Sequence, residues 1–224
     1  MAEGIEVTKK SYLKEPLSRK RKKSLTKQSK TRGLTPYVGE IIVYGFLILL
    51  LSAATYWRNG IWNSETELWI DCVNKSPNKG RPHNNLGQAF LDQGRDQEAI
   101  AQFTEALRID PTHLEAHNNL GNIFVRQGKY QEAVDHFTEA LRVDPSHPAV
   151  HHNLGNALVG QGRYQEAIAQ FTEALRINPD YAPTHYNLGS AYANIGDRVS
   201  AFEEYKILQT MNPDMASALY KKIR

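Results

Sequence analysis

Between residues 80 and 213 the apolar positions repeat in a fixed order every 34 residues. Four consecutive units, 80–113, 114–147, 148–181 and 182–215, follow the same pattern. The first stretch of each unit places His, Leu, Gly and an aromatic or Leu at spacings of 3, 1 and 3, as in His83, Leu86, Gly87 and Phe90. On a helix these positions share one face. A second stretch carries small, aromatic and small residues at spacings of 4 and 3, as in Ala99, Phe103 and Ala106, and forms the stripe that faces the first. Each unit therefore predicts two helices. Gly94, Gly128, Gly162 and Gly196 mark the stop of the first helix, where a left-handed residue is common. Pro111, Pro145, Pro179 and Pro213 end the second, having no N–H to continue it. Gly87, Gly121, Gly155 and Gly189 remove a side chain so that the paired helix can approach closely. A unit of this length cannot bury its apolar face alone, so the predicted fold is all-α, a solenoid of four stacked helical hairpins.

The pattern extends a little at both ends. Residues 64–77 read as a half-unit with a capping box at Ser64 and Glu67. One period separates Trp69, Cys72 and Pro77 from Phe103, Ala106 and Pro111, which predicts an N-terminal capping helix and gives Cys72 the role of a small buried residue. The fourth unit drifts, with Arg198 where other units have an aromatic or Asp and Leu208 where they have Ala, and reads as a terminal cap. Residues 216–224 start a further helix with a lysine-rich outer face. The segment QEAIAQFTEALRI occurs verbatim at 97–109 and 165–177, so the units have near-equal stabilities and the stack is expected to unfold cooperatively.

A different pattern precedes the repeats. Residues 41–57 carry no charge, and Tyr37 and Val38 lengthen the apolar stretch past Glu40. At ~1.5 Å per residue the run approaches a hydrocarbon core of about 30 Å, which predicts a transmembrane helix over 38–57. Tyr37 suits one interface and Tyr56, Trp57 and Trp62 the other. Net charge is +3 over 224 residues, but the ends differ. Residues 1–40 hold 11 Lys/Arg against four Glu, or +7, leaving 16 against 20, or −4. The basic flank predicts a cytoplasmic N-terminus and exoplasmic repeats, with the head free to sit on anionic lipid headgroups. Lys, Ser and Thr without apolar periodicity predict disorder over 1–37. Other readings stand beside this one: the apolar region of a cleaved signal peptide with Ser52 and Ala54 before the cut, a buried core helix, a nuclear localisation signal in the basic run 19–23, and an adaptor of inverted topology with its repeats in the cytoplasm.

The repeats resemble the tetratricopeptide repeat family over about 60% of the chain. Leu-Gly recurs at 86–87, 120–121, 154–155 and 188–189; Phe90, Phe124, Leu158 and Tyr192 follow; then come Phe103, Phe137, Phe171 and Tyr205. The resemblance implies a right-handed α-solenoid with the first helices lining a concave groove. Residues 57–87 carry a narrower likeness. Arg58, Asn59, Trp62, Leu68, Trp69, Ser76 and Pro77 follow an apolar helix and precede repeats, as in polytopic membrane proteins with C-terminal repeats, including the transmembrane-and-tetratricopeptide-repeat proteins of O-mannosyl transfer. That family has many membrane segments and this chain has one predicted, so transferase chemistry does not carry over.

The groove candidates are the second, fifth, sixth, ninth and twelfth residues of each first helix. They comprise Arg81, Asn84, Asn85, Gln88 and Leu91, then Glu115, Asn118, Asn119, Asn122 and Val125. The third unit adds Ala149, His152, Asn153, Asn156 and Val159, and the fourth adds Pro183, Tyr186, Asn187, Ser190 and Ala193. Asn85, Asn119, Asn153 and Asn187 form a ladder, one amide per unit. A carboxamide donates and accepts, which matches one peptide unit of an extended chain. The ladder is similar to that of the O-GlcNAc transferases, where asparagines hold a substrate backbone. Hydrogen bonding between repeats is the competing use of the same amides. Asn84, Asn118, His152 and Tyr186 stand where the family's carboxylate-clamping members have lysine, so no such clamp is expected.

Candidate chemistry is sparse. Single Cys72 excludes an intrachain disulfide and a thiolate metal cluster. His83, His117, His151 and His185 are one unit apart, too far to share a metal, and His151 and His152 point apart as helix neighbours; packing is their expected role. No phosphate loop, nucleophile elbow or zinc-binding helix motif occurs, and the acidic repeats argue against nucleic acid. The expected function is a membrane-anchored scaffold binding an extended segment of a partner protein, with no catalysis, cofactor or metal. The alternative is an accessory recognition subunit of a membrane glycosyltransferase system.

Overall fold

A computed structural model describes residues 35–60 and 64–224. The predicted basic tail falls almost wholly outside the described residues, as does the Trp62 position of the linker. The chain divides into two units, Met1–Gly60 and Ile61–Arg224, and all eleven described helices are α.

The first unit contributes α1, Thr35–Gly60. Its large apolar side chains from Ile42 to Leu51 are 46–67% exposed. Ser52 Oγ and Thr55 Oγ1 donate to the helix's own carbonyls at Leu49 and Leu51, 3.0 and 2.7 Å away. Among the described residues no helix is long and apolar enough to cross a membrane. The span predicted over 38–57 is thus not established by the fold.

The second unit is a stack of hairpins. α2 (Glu65–Lys75) precedes four pairs: α3 (Gly80–Asp92) with α4 (Asp96–Ile109), α5 (Leu114–Arg126) with α6 (Tyr130–Val143), α7 (Pro148–Gly160) with α8 (Tyr164–Ile177), and α9 (Ala182–Asn194) with α10 (Arg198–Met211). α11 (Pro213–Ile223) packs on both α9 and α10, and α2 packs on α3. α2 starts at Ser64, whose Oγ accepts from the Glu67 N–H at 3.2 Å. Thr66, buried on α2, accepts from the Gln93 side chain at the end of α3 and ties the leading helix to the first repeat. Cys72 is half-buried, not buried as its register with Ala106 suggested; among the described residues α2 packs on α3 alone.

The glycines explain the hairpins. Gly128 has φ +73°, and its N–H donates to Val125 O while the Lys129 N–H donates to Phe124 O, at 3.0 and 2.9 Å. This closes α5 in a Schellman turn, which an L side chain would strain. Inside the helix, a Cβ on Gly121 would stand 2.6 Å from the Phe137 ring, and one on Gly155 would stand 2.5 Å from Phe171. Phe103, Phe137 and Phe171 are fully buried against these glycines. Each such ring stabilises the stack by roughly 1.5–3 kcal/mol through burial. In the fourth hairpin Tyr205 replaces Phe, and the space above Gly189 is filled by Leu219 of α11 instead.

Candidate binding groove

The recurring histidines are internal struts. Nε2 of His83, His117, His151 and His185 donates to the carbonyl of Pro77, Pro111, Pro145 and Pro179, at 3.1, 3.1, 2.8 and 2.8 Å. Each therefore ties a first helix to the turn that ends the previous unit. Nδ1 meets a side chain on the paired second helix, 19 residues on: Gln102, His136, Gln170 and Glu204, at 2.8, 3.0, 2.8 and 2.6 Å. These partners also recur every 34 residues, a signal the histidine periodicity alone does not reveal.

The Nδ1 partner differs from strut to strut. Glutamine satisfies a neutral ring by rotating its amide. Glu204 is acceptor-only when ionised, so both nitrogens of His185 donate, and this hydrogen bond holds the imidazole above its ordinary pKa. His117 and His136 approach Nδ1 to Nδ1, where only one N–H fits. Burial, and then the charge of His117, push His136 below its ordinary value. Burial does the same to His152.

Opposite pH responses follow. A depressed pKa means that the neutral His136 contributes stability above about pH 6.5, lost as pH falls through its folded value. A raised pKa means that the His185–Glu204 pair contributes fully below about pH 6.5 and fades as pH rises through its folded value. His136→Gln, which restores the residue of the first and third repeats, should lessen the loss of stability on acidification to about pH 5. Glu204→Gln should cost more stability there than at about pH 8. Urea midpoints measured across this range check both signs.

The predicted ladder is bonded across the repeats. Asn119 Nδ2 donates to Asn84 Oδ1 at 3.3 Å, and Asn153 Nδ2 to Asn118 Oδ1 at 2.9 Å. Each amide reaches back to the residue preceding its counterpart in the unit before. At the last junction the chain shifts by one turn, because His152 stands where Asn118 does. Asn187 Nδ2 donates to Asn156 Oδ1 at 2.7 Å, and Asn156 Nδ2 lies 3.0 Å from His152 Nε2. His152 Nδ1 lies 2.7 Å from Thr184 Oγ1, and its ring packs edge-on against Tyr181. Bonding between repeats, the competing use of these amides, is therefore present.

At Asn119, Asn153 and Asn187 the donor half of the rung is engaged while the acceptor half is open, whereas Asn85 Oδ1 accepts from Asn84 Nδ2 at 3.3 Å. Oδ1 of Asn119, Asn153 and Asn187 has no partner among the described residues and is not buried, so all three carbonyls face water. Asn122 is half-buried and unbonded among the described residues. Gln88 donates to Asp92 on its own helix at 2.7 Å. Asn84 is buried, with its amide engaged by Asn85 and Asn119. Asn84, Asn85 and Arg81 line a cavity of about 640 Å³ that continues along Thr112 and His113 to Glu115 of the next unit. His113 and His147 each keep a buried Nδ1 without a well-aligned hydrogen bond among the described residues; Glu115 Oε2 stands 3.1 Å from that of His113, and nothing in the structure accounts for that of His147.

Two sets of candidates do not line open surface. Leu91, Val125 and Val159 pack against the apolar clusters, because the twelfth position turns toward the paired helix. Tyr186 packs with Ala182, Tyr205 and Met215 around Leu219, and Lys222 Nζ lies 4.9 Å from its ring centre. Lys222 also donates to the buried Ser190 at 3.2 Å. α11 thus covers the fourth rung's edge, and no sequence signal sized that overlap.

Family models of the tetratricopeptide repeat match residues 87–128, 118–182 and 152–216, together more than half of the chain. The chain belongs to the tetratricopeptide-repeat family. Among its tetratricopeptide relatives, a Caenorhabditis elegans protein O-mannosyl-transferase is 34% identical over 67 residues, 30% of this chain and 10% of that protein. Human protein O-mannosyl-transferase TMTC1 is 37% identical over 70 residues, 31% of this chain and 8% of the human one. The matches support the resemblance to the transmembrane-and-tetratricopeptide-repeat proteins, while the chain spans about a tenth of the length of these curated relatives. The fold is shared with solved tetratricopeptide proteins. The crystal structure of MamA aligns at a TM-score of 0.61 and 21% identity, covering 75% of this chain and 94% of that one. That of YrrB, described as a tetratricopeptide protein with an unusual peptide-binding site, aligns at 0.63 and 23%, covering 71% and 86%.

Proposed function

We propose that the chain is a membrane-anchored scaffold whose first helices, α3, α5, α7 and α9, hold an extended segment of a partner protein. The observation that carries this reading is the row of open carbonyls at Asn119, Asn153 and Asn187, one in each of the last three repeats. Their amide N–H groups are tied back to the preceding repeat, so the carbonyls are held in place before a ligand arrives. An extended chain presents a backbone N–H about every 3.3 Å, so successive rungs meet the same ligand several residues apart. Such recognition selects an extended backbone over any one side-chain sequence. Arg81 and Glu115 at the wall of the first cavity add a place for side chains of either charge. The peptide-binding site described for YrrB is consistent with this use of the fold.

The anchor is the second part of the proposal. α1 counts 26 residues, about 39 Å at 1.5 Å per residue, and its apolar side chains point outward on every side between Ile42 and Leu51. Hydroxyls within it are satisfied by the helix itself, as a hydrocarbon surrounding requires. The eleven basic residues ahead of it orient the N-terminus to the cytoplasm and the repeats to the exoplasmic side.

A second reading rests on the 67- and 70-residue matches to O-mannosyl-transferases. In that reading the groove presents a segment to a separate membrane glycosyltransferase. One experiment addresses anchor, groove and rival together: a photo-crosslinker at Asn122, and another at exposed Thr138 on α6, in sealed membrane vesicles with protease added outside. Crosslinking from Asn122 alone supports the groove. Repeats that survive protease until the vesicles are opened support the orientation, and a polytopic transferase in the adduct favours the rival.

A further inference from the structure

One titratable ring is wired into the asparagine ladder. His152 stands where the first two units have Asn84 and Asn118. It lies between Thr184 Oγ1, 2.7 Å from Nδ1, and Asn156 Nδ2, 3.0 Å from Nε2. A neutral imidazole carries one N–H and one lone pair. An amide nitrogen only donates, so Nε2 is the acceptor and the ring proton sits on Nδ1, donating to Thr184. Asn156 Oδ1, at the other end of the same amide, accepts from Asn187 Nδ2 at 2.7 Å. The orientation of each group follows from the one before it, and the last leaves the Asn187 carbonyl open.

A second proton on the ring reverses this chain of bonds. Nε2–H faces Asn156 Nδ2, donor against donor at 3.0 Å. Turning the Asn156 amide end for end brings its Oδ1 to the charged ring, and such a charge-assisted bond is roughly twice as strong as a neutral one. Asn156 Nδ2 then faces Asn187 Nδ2, so the Asn187 amide turns as well. Its carbonyl now accepts from Asn156, and its amide N–H groups face the water that the carbonyl faced before. The rungs at Asn119 and Asn153 bond to Asn84 and Asn118, which do not titrate, and keep their orientation.

We propose that His152 sets the hydrogen-bond polarity of the fourth rung, so that Asn187 offers the groove a carbonyl when the ring is neutral and an N–H when it is protonated. The use of this polarity rests on the reading of the ladder as a row that holds a partner's backbone. With a neutral ring the rungs at Asn119, Asn153 and Asn187 all accept a backbone N–H. With a charged ring the last rung meets that N–H with a donor of its own, and a segment seated on all three carbonyls loses its hold on α9. The surroundings of the ring add no charge. Phe171 of α8 and Tyr181 of the turn before α9 pack on it, and Tyr181 is the titratable one of the two. His151, its neighbour on α7, is turned to Gln170. Burial lowers the pKa of His152, and no charged side chain of α5, α8 or α9 contributes among the described residues. The reversal therefore falls below about pH 6.5, the ordinary value for histidine.

Side-chain NMR of the isotope-labelled full chain in mild detergent tests this, titrated from about pH 8 to about pH 5. It needs no partner, so its failure removes this inference, whereas failed crosslinking from Asn122 removes the groove reading. The Asn187 amide signals should shift with the same midpoint as the His152 ring nitrogens, while those of Asn119 and Asn153 stay constant and show that the stack is intact. Asn156→Ala should leave His152 titrating and abolish the response at Asn187. His152→Asn, which restores the residue of the first two repeats, should hold the Asn187 signals constant throughout. Asn187 signals that stay flat while His152 titrates overturn the proposal. So does a response that survives Asn156→Ala or His152→Asn, and so does a ring that remains neutral to the end of the titration.

Discussion

Phe137→Ala is expected to destabilise the repeat unit by about 3–5 kcal/mol. The ring is fully buried on α6, against Gly121 of its own hairpin and beside Ala133, Ala140 and Leu154. Its cluster runs through two junctions, from α5 to α9, so no single neighbour can collapse into the space. Truncation therefore loses both transfer free energy and contact, and leaves a cavity. The position matters as much as the size. Stability in a stack is a sum of unit and nearest-neighbour terms, and this ring serves the second of four units. The repeats before and after it lose their coupling, so one urea transition should broaden or split into two. Circular dichroism through a urea series reads this directly, with Phe202→Ala, at the exposed end, as a comparison that should shift the midpoint little.

Gly121→Val should cost about 1–3 kcal/mol for the opposite reason, overpacking. A Cβ at this position stands 2.6 Å from Phe137, and valine adds two methyl groups beyond it. The ring has no room to retreat, being fully buried. The two substitutions are coupled. In the Phe137→Ala background the valine enters space that the ring has vacated, so the double variant should be more stable than the sum of the single losses. A coupling of about 0.5–3 kcal/mol is the size expected for touching residues. Additive losses would mean that the glycine is conserved in period for some reason other than the ring across from it.

Most of the fold can be read from residues one period apart. Gly87, Gly121 and Gly155 recur because an aromatic ring presses on them, and Gly94, Gly128, Gly162 and Gly196 recur because each takes a positive φ. These are local demands, and one side chain or one backbone angle states each of them. The site is less legible, because its bonds join residues 31 to 35 apart on helices whose register depends on packing. The ladder is visible at Asn85, Asn119, Asn153 and Asn187, but its partners Asn84, Asn118 and Asn156 are not. One histidine at 152 moves the last rung by a turn of helix. The struts show the same limit. His83 recurs plainly, whereas its partner changes from Gln102 to His136 to Gln170 to Glu204, so periodicity of residue type hides it. At the C-terminal end, the reach of α11 over Tyr186 follows from Leu219 taking the space above Gly189, which needs the fold itself.

Surface charge contributes little to these conclusions. The recurring glutamate–arginine pairs at 105–108, 139–142 and 173–176 lie three residues apart on exposed helix faces. Exposed pairs of this kind are screened by solvent and add little to helix stability. They differ in this from the amides between repeats, which join separate units.

The claim that the first helices hold an extended partner is tested most directly by crosslinking from position 122. Asn122 lies on α5 between two rungs, is half-buried and has no bond to lose among the described residues. The account predicts one dominant adduct from that position, attached to an unfolded segment of another protein, and none from Thr138. Equal adducts from both positions, or none from Asn122 in membranes where the partner is present, would contradict it.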